Sequence, residues 1–314
     1  MKISGDAIVT RGLSKRYGSV AALVDLDLTV PPGVIYGFLG PNGAGKTTTL
    51  RLLMGFVRPT SGDAAIFGHD VWRDGVAARR EVGYLVSADA LYPDLSGEAQ
   101  LDYAANLSGQ PPILRDRLLD ALELSRADLR RKLGAYSKGM RQKLALTAAI
   151  QNDPALLILD EPSDGLDPLI QRAFECLLGE ARDRGRTIFM SSHDLAEVER
   201  MCERVAIVRE GRLVAEERIA ELRRRHRRIA HIAFAGPVPP ALANVPGCTV
   251  VARDGHWVEA AVDGEIRPLL AFLATQPVAD LTLAPPSLDD IFMGFYDGAA
   301  PEAAEPTATG LAAR

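Results

Sequence analysis

Residues 40–48 read Gly40-Pro41-Asn42-Gly43-Ala44-Gly45-Lys46-Thr47-Thr48, and the rest of the chain is organised around that stretch. Gly40, Gly45, Lys46 and Thr47 have the spacing of a phosphate loop, and the apolar run from Val34 to Leu39 supplies the buried strand that such a loop follows. Glycines let successive backbone N–H groups turn inward onto β- and γ-phosphates. Lys46 adds a positive charge, Thr47 offers a hydroxyl to Mg²⁺, and a helix expected over residues 46–55 aims its N-terminus at the anion. The expected ligand is a nucleoside triphosphate.

The whole chain sets bounds on what surrounds that loop. It has 314 residues, 47% hydrophobic and 25% charged, which suffices for one large domain and a small one. Cys176, Cys202 and Cys248 lie far apart with no Cys-x-x-Cys pair, so neither a disulfide framework nor a zinc site is expected. Reduced thiols fit a cytosolic protein. A net charge of −5 argues against a broad nucleic-acid surface. No apolar run approaches the ~20 residues that cross a bilayer, and the N-terminus from Met1 to Asp6 lacks the apolar stretch of a leader. The chain is expected inside the cell.

Residues 7–72 hold short alternating segments such as Leu26 to Val30, read as half-buried strands. From Leu95 to Ile150 the apolar spacing becomes helical, as in Leu118, Leu119, Leu122 and Leu124, which suggests a helical insertion. Strand-like runs return at Ala155 to Leu159, Thr187 to Met190 and Val205 to Val208, separated by helical stretches. That alternation predicts a largely parallel, doubly wound sheet with the nucleotide at its strand ends. After Gly211 the chain reads as helix-like up to the basic run Arg223 to Arg228, taken as a solvated helix end or linker, with docking on anionic lipid or a partner as the alternative. A second unit follows: Ile229 to Ala235, Cys248 to Ala252 and Trp257 to Val262 read as strands and Ile266 to Thr275 as a helix. The tail over residues 298–314 has almost nothing to bury and is expected to be disordered.

Chemistry gathers at two further places. The apolar run Ala155 to Leu159 ends in Asp160-Glu161-Pro162, putting two carboxylates at the tip of a buried strand. Asp160 can hold Mg²⁺ through water, and Glu161 can polarise the water that attacks the γ-phosphate, because phosphoryl transfer asks for a metal clamp and a positioned water. In Tyr136-Ser137-Lys138-Gly139-Met140-Arg141-Gln142, Ser137 and Gly139 present a hydroxyl and a backbone N–H at a helix start. This is either a second anion site or an ordinary Ser N-cap.

Taken with Gly165-Leu166-Asp167-Pro168 and Ser191-Ser192-His193-Asp194, these motifs stand in an order that resembles an ATP-binding cassette ATPase over roughly residues 5–225. The resemblance implies an α/β P-loop NTPase fold with an antiparallel β subdomain and a helical insertion over about residues 90–150. A small α+β domain over residues 229–296 would follow. It implies ATP held by Gly40 to Thr48, with Tyr17 stacking on adenine, and Mg²⁺ held by Thr47 and Asp160. Glu161 and His193 would be the catalytic pair, His193 contacting the γ-phosphate and orienting Glu161. Ser137, Lys138 and Gly139 would cap the ATP of a second cassette in a dimer, a homodimer by default, with Asp167 at the interface. A separate transmembrane permease would be the other partner, placing the chain on the cytoplasmic face of the membrane, with no nucleic acid involved.

Two departures from the family pattern stand out. Lys138 and Met140 resemble the signature of single-cassette drug and polysaccharide exporters. Ser87, in Val82-Gly83-Tyr84-Leu85-Val86-Ser87, stands where the family places Gln or Glu to touch Mg²⁺, so metal contact there would need a bridging water. The segment Pro286 to Phe292 resembles the closing helix of the exporter ATPases, and Ser287 with Asp290 would form its capping box. The expected function is the ATPase subunit of an exporter of drug-like, antibiotic or lipid-like compounds. A soluble cassette acting on ribosomes or DNA, and a low-turnover nucleotide sensor, are the alternatives.

Overall fold

Runs of apolar residues set the frame. The computed structural model describes residues 5–85, 87–225 and 228–284, and the chain divides after Ile219 into two compact units. The first opens with strands β1 (Ile8–Tyr17), β2 (Val20–Val30) and β3 (Ile35–Leu39), helix α1 (Lys46–Leu53), strands β4 (Ser61–Ile66) and β5 (His69–Asp70), helix α2 (Gly75–Arg80) and strand β6 (Val82–Tyr84). Helices α3 (Gly97–Ser108), α4 (Arg115–Ala121), α5 (Arg126–Leu129) and α6 (Lys138–Ile150) come next. Then follow β7 (Leu156–Asp160), α7 (Pro168–Asp183), β8 (Thr187–Ser192), α8 (Leu195–Met201), β9 (Arg204–Arg209) and β10 (Arg212–Arg218). Helix α9 (Ile219–Arg225) crosses the division, and the second unit holds β11 (Arg228–Phe234), β12 (Cys248–Asp254), β13 (Trp257–Val262), α10 (Arg267–Leu273) and β14 (Val278–Ala284).

Two sheets build the first unit. In the antiparallel sheet β2-β1-β4-β5, Leu26, Leu28 and Val30 are buried while Asp25, Asp27 and Thr29 are exposed, the alternation of a half-buried strand. The larger sheet runs β10-β9-β3-β8-β7-β6, with β9, β3, β8, β7 and β6 parallel. Every residue of β3 and β8 is buried, which is why Ile35 to Leu39 and Ile188 to Met190 are apolar without alternation. Phe189 packs between Tyr36 and Phe38, with ring centroids 5.9 and 5.4 Å away. Leu39 pairs with Ser192 and Asp160 with Ser191, so the carboxyl ends of β3, β8 and β7 stand side by side. The phosphate loop, His193 and Glu161 leave from those three ends.

The helical insertion resolves into four helices, and Ser side chains start three of them. Ser96 accepts from Ala99 N at 3.2 Å, Ser125 forms a capping box with Asp128, and Ser137 accepts from Met140 N at 3.2 Å.

The stretch after Gly211 corrects an expectation. It is strand β10, antiparallel to β9, and the helix begins at Ile219. Glu210 and Gly211 both have positive φ, 50° and 74°, which turns the chain back on itself as a hairpin before any helix can start. The turn is also a brace: Gly211 N donates to Ala44 O at 3.1 Å and Gly211 O accepts from Val24 N at 2.7 Å, tying it to the phosphate loop and to β2.

The second unit is an antiparallel sheet, β12-β13-β11-β14, whose buried face packs Ile232, Phe234 and Val258 with Leu269 and Leu273 of α10. β14 extends the sheet beyond the strands read from sequence by pairing along β11. His226 and Arg227 of the basic run, the segment Pro286 to Phe292 and the tail over residues 298–314 lie outside the described residues.

Candidate functional site

The loop from Gly40 to Thr48 wraps the end of α1 under a tight steric constraint. Gly45 has φ of 101°, and a Cβ there would stand 2.5 Å from Ala22 O, so β2 lies against the loop and a side chain is excluded. Pro41, Asn42, Gly43 and Thr47 are exposed, while Ala44 and Lys46 are buried. The Lys46 side chain folds back: Nζ donates to Gly40 O at 2.6 Å and Pro41 O at 3.4 Å and lies 3.2 Å from Glu161 Oε1. A positive charge is thereby fixed at the centre of the loop.

Both carboxylates at the end of β7 face that charge and its neighbour. Thr47 Oγ1 donates to Asp160 Oδ2 at 2.9 Å, and Ser191 Oγ donates to Asp160 Oδ1 at 2.5 Å. The same Ser191 oxygen accepts from Glu161 N at 3.0 Å, using donor and acceptor capacity together. Glu161 has φ of 46°, a left-handed conformation that costs a non-glycine residue about 1–3 kcal/mol and is common at functional sites. Glu161 Oε2 lies 2.7 Å from His193 Nδ1 while Oε1 faces Lys46. Thr47 and Asp160 supply hard oxygen donors one hydrogen bond apart, which fits Mg²⁺, an ion that takes one or two protein ligands and completes its shell with substrate phosphates and water.

Lys46, Thr47, Asp160, Glu161 and His193 thus meet, although the sequence separates the first from the last by 147 residues. Ser137, Lys138, Gly139 and Asp167 are engaged elsewhere. The Ser137 hydroxyl caps α6 and the Asp167 carboxylate caps α7 by accepting from Leu169 N and Ile170 N, both at 3.1 Å. Lys138 Nζ lies 2.8 Å from Asp164 Oδ2, joining the signature to the loop that carries Asp167. Tyr17, at the end of β1, is 44% exposed with Lys15 Nζ 5.0 Å from its ring centroid, on the hairpin that presses Ala22 against Gly45. Ser87 is exposed, and its hydroxyl accepts from Asp89 N at 3.4 Å at the start of a short 3₁₀ turn.

Three further groups, to which the motifs assign no role, support the site. Ser191 orders both carboxylates, and Gln142, buried in the signature helix, donates to Pro162 O at 2.8 Å. Glu197 binds Ser163 and Ser192. Ser191 and Gln142 lie within the histidine and signature motifs, but the partner of each depends on how strand and helix meet, which sequence spacing does not give.

Comparison with known proteins places the chain in a family. Residues 23–164 match the ABC transporter family. The bacitracin transport ATP-binding protein BcrA of Bacillus licheniformis is 38% identical over 223 residues, covering 70% of this chain and 72% of that protein. A fluoroquinolones export ATP-binding protein of Mycobacterium tuberculosis is 36% identical over 267 residues, 81% of this chain and 88% of its own length. A solved ATP-binding subunit of an ABC transporter superposes with a TM-score of 0.65 at 32% identity, over 70% of this chain and 92% of that one. A phosphate loop, a carboxylate pair and a histidine converging at three adjacent strand ends, in a sequence this close to such proteins, mean that the chain belongs to the ABC transporter family, as an ATP-binding subunit that hydrolyses ATP to drive transport.

Proposed function

We propose that two copies of this chain close head to tail over two molecules of Mg²⁺-bound ATP and deliver the resulting stroke to a separate membrane-spanning subunit that exports drug-like, antibiotic or lipid-like compounds. The observation that carries this reading is the split among the motifs: Lys46, Thr47, Asp160, Glu161 and His193 meet within one chain, while Ser137, Gly139 and Asp167 do not join them. A second chain gives the latter group a phosphate to meet.

The residues act in a definite order. An incoming γ-phosphate competes with Glu161 for Lys46 Nζ, because both are anions at hydrogen-bond range of one ammonium. Glu161, released on that side and still held by His193, takes up the water and accepts its proton as the water attacks the γ-phosphorus, while the bond from that phosphorus to the β–γ bridging oxygen breaks and ADP leaves. Mg²⁺, held by Thr47 and Asp160, would neutralise charge on the β- and γ-phosphates. Ser137 of the other copy keeps a free O–H proton while accepting Met140 N–H, so it can donate to the same phosphate. Loss of the γ-phosphate removes that contact, and the two copies part.

At Ser87 the metal contact is weakened. Ser87→Gln is expected to raise Mg²⁺ affinity or the ATPase rate, and an unchanged Mg²⁺ titration would count against the assignment.

A groove of about 1200 Å³ runs between α3, α6 and the β6 edge, lined by Phe56, Tyr84, Tyr92, Tyr103, Leu107 and Ile113. Edge-on ring pairs, Phe56 with Tyr84 and Tyr92 with Tyr103, stiffen its walls. It suits a short helix of the membrane subunit, and among the described residues no helix is long and apolar enough to cross a membrane itself. The cytoplasmic face of the membrane is the corresponding location, and the names of the relatives support export of antibiotic or drug-like cargo. Tagged chain purified from native membranes is expected to bring down a multi-spanning polypeptide, and Tyr103→Lys is expected to release it while ATP hydrolysis persists. Recovery of ribosomes or DNA in its place would overturn the transporter reading.

A further inference from the structure

Glu197 is 5% exposed, yet it does not touch the phosphate loop. Its Oε1 accepts from Ser163 Oγ, and its Oε2 accepts from Ser192 Oγ at 2.5 Å. Ser163 lies two residues beyond Glu161, and Ser192 immediately precedes His193. Burial pushes the Glu197 carboxyl up; the Ser163 and Ser192 hydroxyls pull it down, and the Asp194 and Glu161 carboxylates push it up further. Such a group is retained at a desolvation cost, and both of its oxygens are spent on the two loops that carry the reacting side chains.

The elements around it are fixed. Asp194 caps α8 by accepting from Ala196 N at 2.8 Å and Glu197 N at 3.3 Å, and Ser192 Oγ accepts from Asp194 N at 2.9 Å. Glu161 and His193 are therefore joined twice. One tie is direct, 2.7 Å, between side chains that are 27% and 60% exposed. The other runs through half-buried Ser163 to the buried Glu197 and Ser192. An exposed ion pair holds a geometry weakly, whereas buried and fully satisfied hydrogen bonds hold it firmly.

We propose that Glu197 is a positioning residue: it fixes the loop of Glu161 against the loop of His193, so that turnover depends on a carboxyl that meets no substrate. This rests on the reading of Glu161 and His193 as the reacting pair. Glutamine at 197 keeps the shape, but only its oxygen accepts from a hydroxyl; its amide must donate to the other, reversing that hydrogen bond, and neither bond is any longer to a carboxylate.

The test is ATP hydrolysis by Glu197→Gln and by the milder Ser163→Ala, each checked for folding by its melting transition. Glu197→Gln is expected to lower kcat at least about tenfold with KM for ATP within about twofold, since only transition-state geometry is lost. Ser163→Ala, which removes one tie, is expected to lower kcat about threefold in the same pattern. In a His193→Ala background Glu197→Gln should add less than about twofold, because the pair it positions is already broken. An unchanged kcat in both variants, or the same fold-loss with and without His193, overturns the role. Glu161→Gln is run alongside: turnover lost there but intact in Glu197→Gln rejects this inference alone, whereas turnover retained in Glu161→Gln rejects the underlying assignment.

Discussion

Glu161→Gln is expected to bind ATP at least as tightly as the parent chain while losing turnover by about a hundredfold or more, the scale of a general-base contribution. The substitution preserves size and removes one charge. The left-handed backbone at residue 161 is held by Ser191 Oγ on its N–H and by the pairing of Asp160 with Ser191, not by the carboxylate, so the loop keeps its course. Lys46 loses an anionic neighbour at 3.2 Å and meets the phosphates uncontested. What disappears is the group that accepts a proton from the attacking water. On the proposed cycle, in which hydrolysis separates the two copies, the variant should also accumulate as an ATP-dependent dimer. Phosphate release, equilibrium binding of ATP and size-exclusion chromatography with and without ATP check the three parts. Hydrolysis near the parent rate would remove Glu161 from the reaction.

The same residues mark where sequence stops informing. β3, β7 and β8 are legible because strands buried on both faces carry apolar runs, Ile188 to Met190 in β8 and Leu156 to Leu159 in β7, and the phosphate loop because its chemistry dictates residue type at each position. β10 and β14 are less so. Each is defined by a neighbour, β9 or β11, and their mixed polar sequences match a helix or a loop equally well until that pairing exists. In the site, the motif order identifies Glu161 and His193 without fixing how they meet. Ser191 and Ser192 make the point sharply: adjacent on one strand, they send their hydroxyls to different partners, the first to Asp160 and the second to Glu197. Which hydroxyl serves which carboxylate follows from the register Asp160 to Ser191, a contact across 31 residues.

If the site is composite, as proposed, the second large effect is separable from simple loss of folding. Ser137→Asp retains the N-cap, since Asp serves that position as well as Ser, so α6 and the groove beside it should be undisturbed. On the proposed arrangement it puts a negative charge where a donor would meet the phosphate, and turnover is expected to fall by about a hundredfold because like charges would meet at the interface. Lys46→Ala is expected to fail for a different reason, losing the 6%-exposed ammonium that would neutralise the phosphates and leaving the Glu161 carboxylate with one of its two partners, His193. Each variant alone has two defective sites. In a mixed pair, the Lys46→Ala copy lends an intact Ser137 to the intact phosphate loop of the Ser137→Asp copy, and one whole site is restored. Random pairing of equal amounts makes half of the dimers mixed, with one working site in each, so recovery toward about a quarter of parent activity is expected. Hydrolysis measured on the separate and mixed proteins decides it: a mixture no more active than its components would mean that Ser137 does not act on the nucleotide of another chain.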